Sequence, residues 1–262
     1  MRGALIECQV SGSGPNLIWG HGLTSSRAID DVRPRVDWTE VPARVVRYDA
    51  RGHGSSESTP ELGNYSWAEL ARDQLSLADA LHMDQFISGG ASMGCGTSLH
   101  AALAAPERVT ALILVIPPTA WETRALQANE WERTAIAIEK GGVEAIIAGP
   151  ESGPPPDPYL NDPDWYDRAA AATRTWEPSR LARVLRGASR ADLPSRSQIA
   201  HLDVPALILA WSGDATHPTR TAEELHDLLP RSDLHIASTR PDLEQWTRHV
   251  SEFIASKHHP DA

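Results

Sequence analysis

The chain has 262 residues and a formal net charge of −11, with 24 Lys and Arg against 35 Asp and Glu. No basic run is long enough to follow a phosphate backbone, so nucleic acid is excluded as an expected partner. At 41% hydrophobic and 23% charged residues the composition is that of a globular protein able to bury a core, and no stretch approaches the ~18 apolar residues of a membrane span.

The opening residues, MRGALIECQVSGSG, lack the apolar run of a secretory signal, so the expected location is the cytoplasm, with no membrane partner. Cys8 and Cys95 stand far apart without metal-ligand neighbours; both are expected as buried free thiols, and neither a metal nor a cofactor is implied. Apolar runs without strict alternation recur at 17–19, 44–48, 85–88, 112–116 and 206–211, the pattern of parallel strands buried on both faces. Helical patterns lie between them. The clearest starts at Ser66 with Glu69 three residues on, a capping box, followed by apolar Trp67, Leu70, Ala71, Leu77, Ala78 and Leu81.

Strand and helix in alternation predict a doubly wound, mostly parallel α/β sheet. The alternation stops after Ile116-Pro117-Pro118 and resumes near Val204. Residues 118–202 therefore read as a helical cap insertion, and 1–117 with 203–262 as the core. The insertion contains Trp121, Trp131, Trp165 and Trp176, is split by the Gly-Pro-rich run 153–158, and is expected over the carboxyl edge of the sheet, where such folds bind ligands. The tail 257–262 reads as frayed.

Chemistry concentrates at Gly90-x-Ser92-x-Gly94, which follows an apolar strand and opens a helical pattern through Leu99, Ala102 and Leu103. A nucleophilic oxygen has to stand clear of the sheet at a sharp turn, and flanking glycines remove side chains that would collide there. The bare pattern arises by chance in roughly one chain in ten of this length, so its weight comes from the strand before it and the helix after it. Cys95 lies inside that helix and reads as a small buried side chain rather than a nucleophile.

With the turn Gly20-His21-Gly22-Leu23 after the run 17–19, and Asp49-Ala50-Arg51-Gly52-His53-Gly54-Ser55-Ser56 after the run 44–48, this elbow resembles the α/β-hydrolase superfamily. The resemblance implies that Ser92 is the nucleophile and that the backbone amides of Leu23 and Met93 form an oxyanion hole. It also implies that Asp214, four residues before Pro218, is the triad acid. His21 and His53 are expected to shape their loops. One departure stands out. The superfamily carries its catalytic histidine after the last strand, but the segment following 233–237 reads Ser238-Thr239-Arg240-Pro241-Asp242 and holds none.

Three readings follow from that departure. His217, three residues past Asp214, serves as the base; or the elbow runs a non-hydrolytic reaction, as in a lyase, cyclase or decarboxylase; or the protein binds a small ligand without turning it over. His235, within a strand, and His249, within the last helix, are expected to be structural. The leading expectation is a cofactor-free hydrolase of small carboxylic esters or lactones, using Ser92, Asp214 and His217 with Leu23 and Met93. Apolar or aromatic substrates are expected if an insertion tryptophan faces the cleft. The oligomeric state is left open, a homodimer included.

Overall fold

Leu17 and Ile18 are adjacent in sequence and both fully buried, yet they pack into separate hydrophobic clusters. Successive side chains of a strand point to opposite faces, so this happens only when helices cover a sheet on both sides. A computed structural model describes residues 3–32, 34–147 and 153–256. Its strands are β1 (Cys8–Ser11), β2 (Asn16–Gly20), β3 (Arg44–Tyr48), β4 (Phe86–Ala91), β5 (Val109–Val115), β6 (Ala206–Trp211) and β7 (Ser232–Ala237). They form one 7-stranded sheet in the order β1-β3-β2-β4-β5-β6-β7, antiparallel only between β1 and β3. The doubly wound, mostly parallel architecture is as expected. The apolar-run criterion misses β1, because Cys8-Gln9-Val10-Ser11 is an edge strand without a buried residue. Cys8 is accordingly half-buried, which corrects the expectation of two buried thiols; Cys95 is buried.

The helices follow in chain order. After β2 comes α1 (Arg27–Val32), and after β3 comes α2 (Trp67–Ala80), capped where Ser66 Oγ accepts the Glu69 amide. The elbow opens α3 (Met93–Ala104). Between β5 and β6 the chain forms α4 (Arg124–Gly141), α5 (Glu144–Ile147), α6 (Trp165–Arg174), α7 (Pro178–Ala188) and α8 (Arg196–Ala200). Then come α9 (Thr219–Leu228), α10 (Arg240–Glu244) and α11 (Trp246–Ser256). The sequence places the last helix from Leu243 onward, whereas helical backbone begins at Arg240, with Thr239 as its cap. Pro241 fits there because the first helical turn needs no amide from it. The tail 257–262 lies outside the described residues, of which no helix is long and apolar enough to cross a membrane.

Arg124 ties the helical segment to the core. Its guanidinium lies 4.2 Å from the Trp67 ring centroid and 4.2 Å from that of Trp131, and it donates to the carbonyls of Ala188 and Ala191. Burial lowers the Arg124 pKa to about 10. Aromatic faces and carbonyl oxygens together compensate the loss of water around the buried cation. The other tryptophans of this segment are also engaged in packing. Trp121 Nε1 donates to Pro194 O at 3.0 Å, Trp165 lies against Tyr159, and Trp176 meets His53 edge to face.

Candidate active site

In a parallel sheet every carboxyl strand end faces the same edge, so the segments leaving β2, β4 and β6 meet there. Ser92 leaves β4 with φ 52° and ψ −108°, a conformation that costs a non-glycine residue about 1–3 kcal/mol and persists only when its surroundings enforce it. The surroundings do so here. The Ser92 amide donates to Val115 O at 3.0 Å, and a Cβ on Gly94 would fall 2.2 Å from the Gly20 carbonyl oxygen. A Cβ on Gly90 would in turn fall 2.6 Å from the Gly94 Cα. The glycines thus let α3 pack directly on β2 and β4, while the Ser92 side chain stays half-buried rather than enclosed.

The segment after β6 supplies the partners. His217 Nε2 lies 2.9 Å from Ser92 Oγ, and His217 Nδ1 lies 2.7 Å from Asp214 Oδ2. The Asp214 carboxylate also accepts the Trp211 indole N–H at 2.8 Å on Oδ2, and the Thr216 and His217 amides at 2.9 and 3.2 Å on Oδ1. Burial alone would raise the Asp214 carboxyl. The hydrogen bond and charge of His217, with the Trp211 and Thr216 donors, instead hold it well below the usual carboxylate range. Both side chains of the pair are only 16% exposed, so electrostatic interaction between them is poorly screened.

This segment is fixed from two sides. Asp157 N, in the helical segment between β5 and β6, donates to Ser212 O at 2.9 Å, and Thr119 N donates to Thr216 O at 3.0 Å. Gly213, at φ +79°, adopts the left-handed turn that brings Asp214 back toward β6.

The turn after β2 completes the arrangement. Gly22 lies against the elbow, since a Cβ on it would sit 3.6 Å from Ser92 Cβ. The Gly22 carbonyl is held by the Ser25 amide at 3.1 Å and by His21 Nδ1 at 2.7 Å. In a trans peptide the next N–H points the opposite way, so the Leu23 amide is turned away from those two groups. Likewise the Ser92 carbonyl accepts the Cys95 amide at 2.9 Å inside α3, which turns the Met93 N–H out of the helix start.

The remaining sequence candidates occupy structural positions. His21 Nε2 accepts the Ala50 amide at 3.0 Å. His53 is fully enclosed, with its nitrogens 2.9 Å from Arg51 O and 2.8 Å from Leu23 O, and burial lowers its pKa to about 3. His235 and His249 stack on each other with centroids 3.8 Å apart at the far edge of the sheet. Burial raises the Cys95 thiol pKa, and its Sγ donates to the Gly90 and Val115 carbonyls. Among the described residues no group of three or more His, Cys, Asp or Glu is arranged to hold a metal. Sequence reasoning missed Trp211, whose one available signal is its place at the end of β6, three residues before Asp214.

Comparison with known proteins agrees with this architecture. The family described as alpha/beta hydrolase fold matches residues 36–240. The 3-oxoadipate enol-lactonase 1 of Acinetobacter baylyi is 23% identical over 96% of this chain and 92% of its own length. A putative 2-succinyl-6-hydroxy-2,4-cyclohexadiene-1-carboxylate synthase of Bacillus subtilis is 27% identical over 96% of each chain. Among solved structures, a thermophilic esterase from Thermogutta terrifontis superposes with a TM-score of 0.79 at 22% identity, covering 97% of this chain and 94% of that one. The family match spans most of the sheet, the elbow and the segment after β6, and on it the chain belongs to the α/β-hydrolase fold family.

Proposed function

We propose that the protein is a serine hydrolase of small carboxylic esters or lactones, with a triad of Ser92, His217 and Asp214. The observation that carries this reading is the continuous relay of 2.9 and 2.7 Å from Ser92 Oγ through the His217 ring to Asp214. A serine hydroxyl is a weak nucleophile until a neighbouring base takes its proton, and a base is effective only within hydrogen-bond reach. In the proposed cycle Ser92 Oγ attacks the substrate carbonyl as its proton passes to His217 Nε2. Asp214 stabilises the imidazolium, and the amides of Leu23 and Met93 receive the oxyanion. The imidazolium then protonates the departing alkoxide. Water, deprotonated by the same nitrogen, finally attacks the acyl-enzyme, and the proton passes from His217 to Ser92 Oγ as the acyl–oxygen bond breaks. In a lactone the alkoxide stays attached to the acyl group, so one hydroxy acid is the only product.

The 23% identity to an enol-lactonase over nearly the whole chain supports a small cyclic ester as substrate, opened by the reaction. A second reading, proton abstraction and elimination or cyclisation on the same elbow, is favoured by the 27% identity to the Bacillus subtilis synthase. A panel of short-chain p-nitrophenyl esters and of five- and six-membered lactones separates the two. The hydrolase reading expects turnover that Ser92→Ala abolishes. No hydrolysis of any panel member by the wild-type protein would contradict it and favour the second reading.

A further inference from the structure

We infer that Trp211 is a positioning residue: its indole N–H sets the plane of the Asp214 carboxylate and, through it, the aim of His217 at Ser92. This inference rests on the triad reading above. A carboxylate offers about four lone-pair sites, and four donors meet Asp214: Thr216 N and His217 N on Oδ1, and Trp211 Nε1 and His217 Nδ1 on Oδ2. Three of these donors ride on the same short segment as the carboxylate. They move with it, and the ties to the segment from outside, Asp157 N on Ser212 O and Thr119 N on Thr216 O, hold its backbone and not the plane of the carboxylate. The two on Oδ1 hold that oxygen but leave rotation about it to be fixed by whatever meets Oδ2.

The fourth donor is anchored to the sheet. Trp211 ends β6 and is 3% exposed. Its ring stacks on Trp246 with centroids 5.9 Å apart and meets Tyr159 edge to face at 5.8 Å. On a second side the Arg35 guanidinium lies 5.4 Å from its centroid. A ring packed in this way has one orientation, and its N–H points to the oxygen that also receives the imidazole. Where acid and base come from different strands, two backbones fix their relation. Here both come from one segment, i and i+3, and the Trp211 N–H supplies the fixed point. The same donor withdraws electron density from Oδ2, so its loss leaves a carboxylate that stabilises the imidazolium more strongly while orienting it less well.

The test replaces Trp211 with 3-benzothienylalanine, which keeps the ring shape but has sulfur in place of N–H. The chain has nine tryptophans, so the replacement is made at a single suppressed codon. Trp211→Phe is made alongside it, and Ile254→Ala, at a fully buried residue of the same hydrophobic cluster, serves as a packing control. With a p-nitrophenyl ester, kcat for both Trp211 variants is expected to fall about tenfold with KM within about twofold, which marks loss of a transition-state effect. The acid limb of the kcat/KM–pH profile is expected to move up by about half a unit. Ile254→Ala is expected to lower Tm without moving that limb. An isosteric variant matching wild type in kcat and pH profile overturns the inference, and so does a fall in kcat with the limb unmoved, which marks a packing role. A wild-type protein that shows neither ester turnover nor fluorophosphonate labelling removes the triad reading itself, and Trp211's role with it.

Discussion

The segments that leave β6 and β7 emerge from neighbouring parallel strands at the same edge of the sheet, and they use their polar groups in opposite ways. After β7, Thr239 and Asp242 cap α10: the Ser238 and Thr239 amides and the Thr239 hydroxyl all donate to Asp242 Oδ2. The Asp242 carboxylate and the Thr239 hydroxyl are thus engaged within the segment itself. After β6, Asp214 accepts from the strand, the turn and the imidazole together, and the other nitrogen of His217 reaches across to Ser92, just past the end of β4. On the proposed reading, a turn of four residues, 214–217, therefore presents both the acid and the base that the superfamily ordinarily divides between these two segments. The position in space at the carboxyl edge is what the chemistry requires, and more than one strand can supply it.

The largest expected effect separates the two segments outright. His217→Ala or Ser92→Ala lowers ester kcat by about 10³-fold or more, and the double substitution loses little beyond either one, because the groups act as a unit; steady-state kinetics on the three variants checks this. Asp214→Asn comes next, at about 10²–10⁴-fold in kcat, since an amide can present its NH₂ to the imidazole and favour the wrong tautomer.

The same residue gives a pH signature. Its carboxyl is held below the ordinary value of 3.8, so it contributes stability that is fully present above about pH 4 and is lost as the pH falls through the folded-state value. The Tm difference between wild type and Asp214→Asn, followed by calorimetry from pH 7 downward, is expected to be constant near neutrality and to shrink below about pH 4. The smallest effect falls on the other segment. Thr239→Ala removes a helix cap and lowers stability by about 1 kcal/mol in chemical denaturation, with ester turnover within about twofold of wild type.

Much of this comparison is legible in the sequence. Apolar runs place five of the parallel strands because burial on both faces excludes alternation, and Gly90-x-Ser92-x-Gly94 places the elbow because its glycines face backbone. The i, i+3 spacing of Asp214 and His217 allows the pair but does not require it; their meeting with Ser92 across 125 positions depends on the turn at Gly213 and the amide contacts from Thr119 and Asp157. Trp211 escapes because a tryptophan ending a buried strand is sufficiently explained by packing, and the direction of its N–H is set by ring contacts from Trp246, Tyr159 and Arg35. β1 escapes because an edge strand need bury no side chain. The absence of a histidine between β7 and α10 is plain in the sequence, whereas the approach of His217 to Ser92 is seen only in the geometry after β6.

The most direct measurement is intact-mass kinetics of labelling by a serine-directed fluorophosphonate between pH 6 and 9. A single adduct on Ser92, absent in Ser92→Ala and formed at least about 100-fold more slowly in His217→Ala, is the result the relay predicts. Labelling of His217→Ala at the wild-type rate, or no adduct on the wild-type protein anywhere in that range, would contradict it.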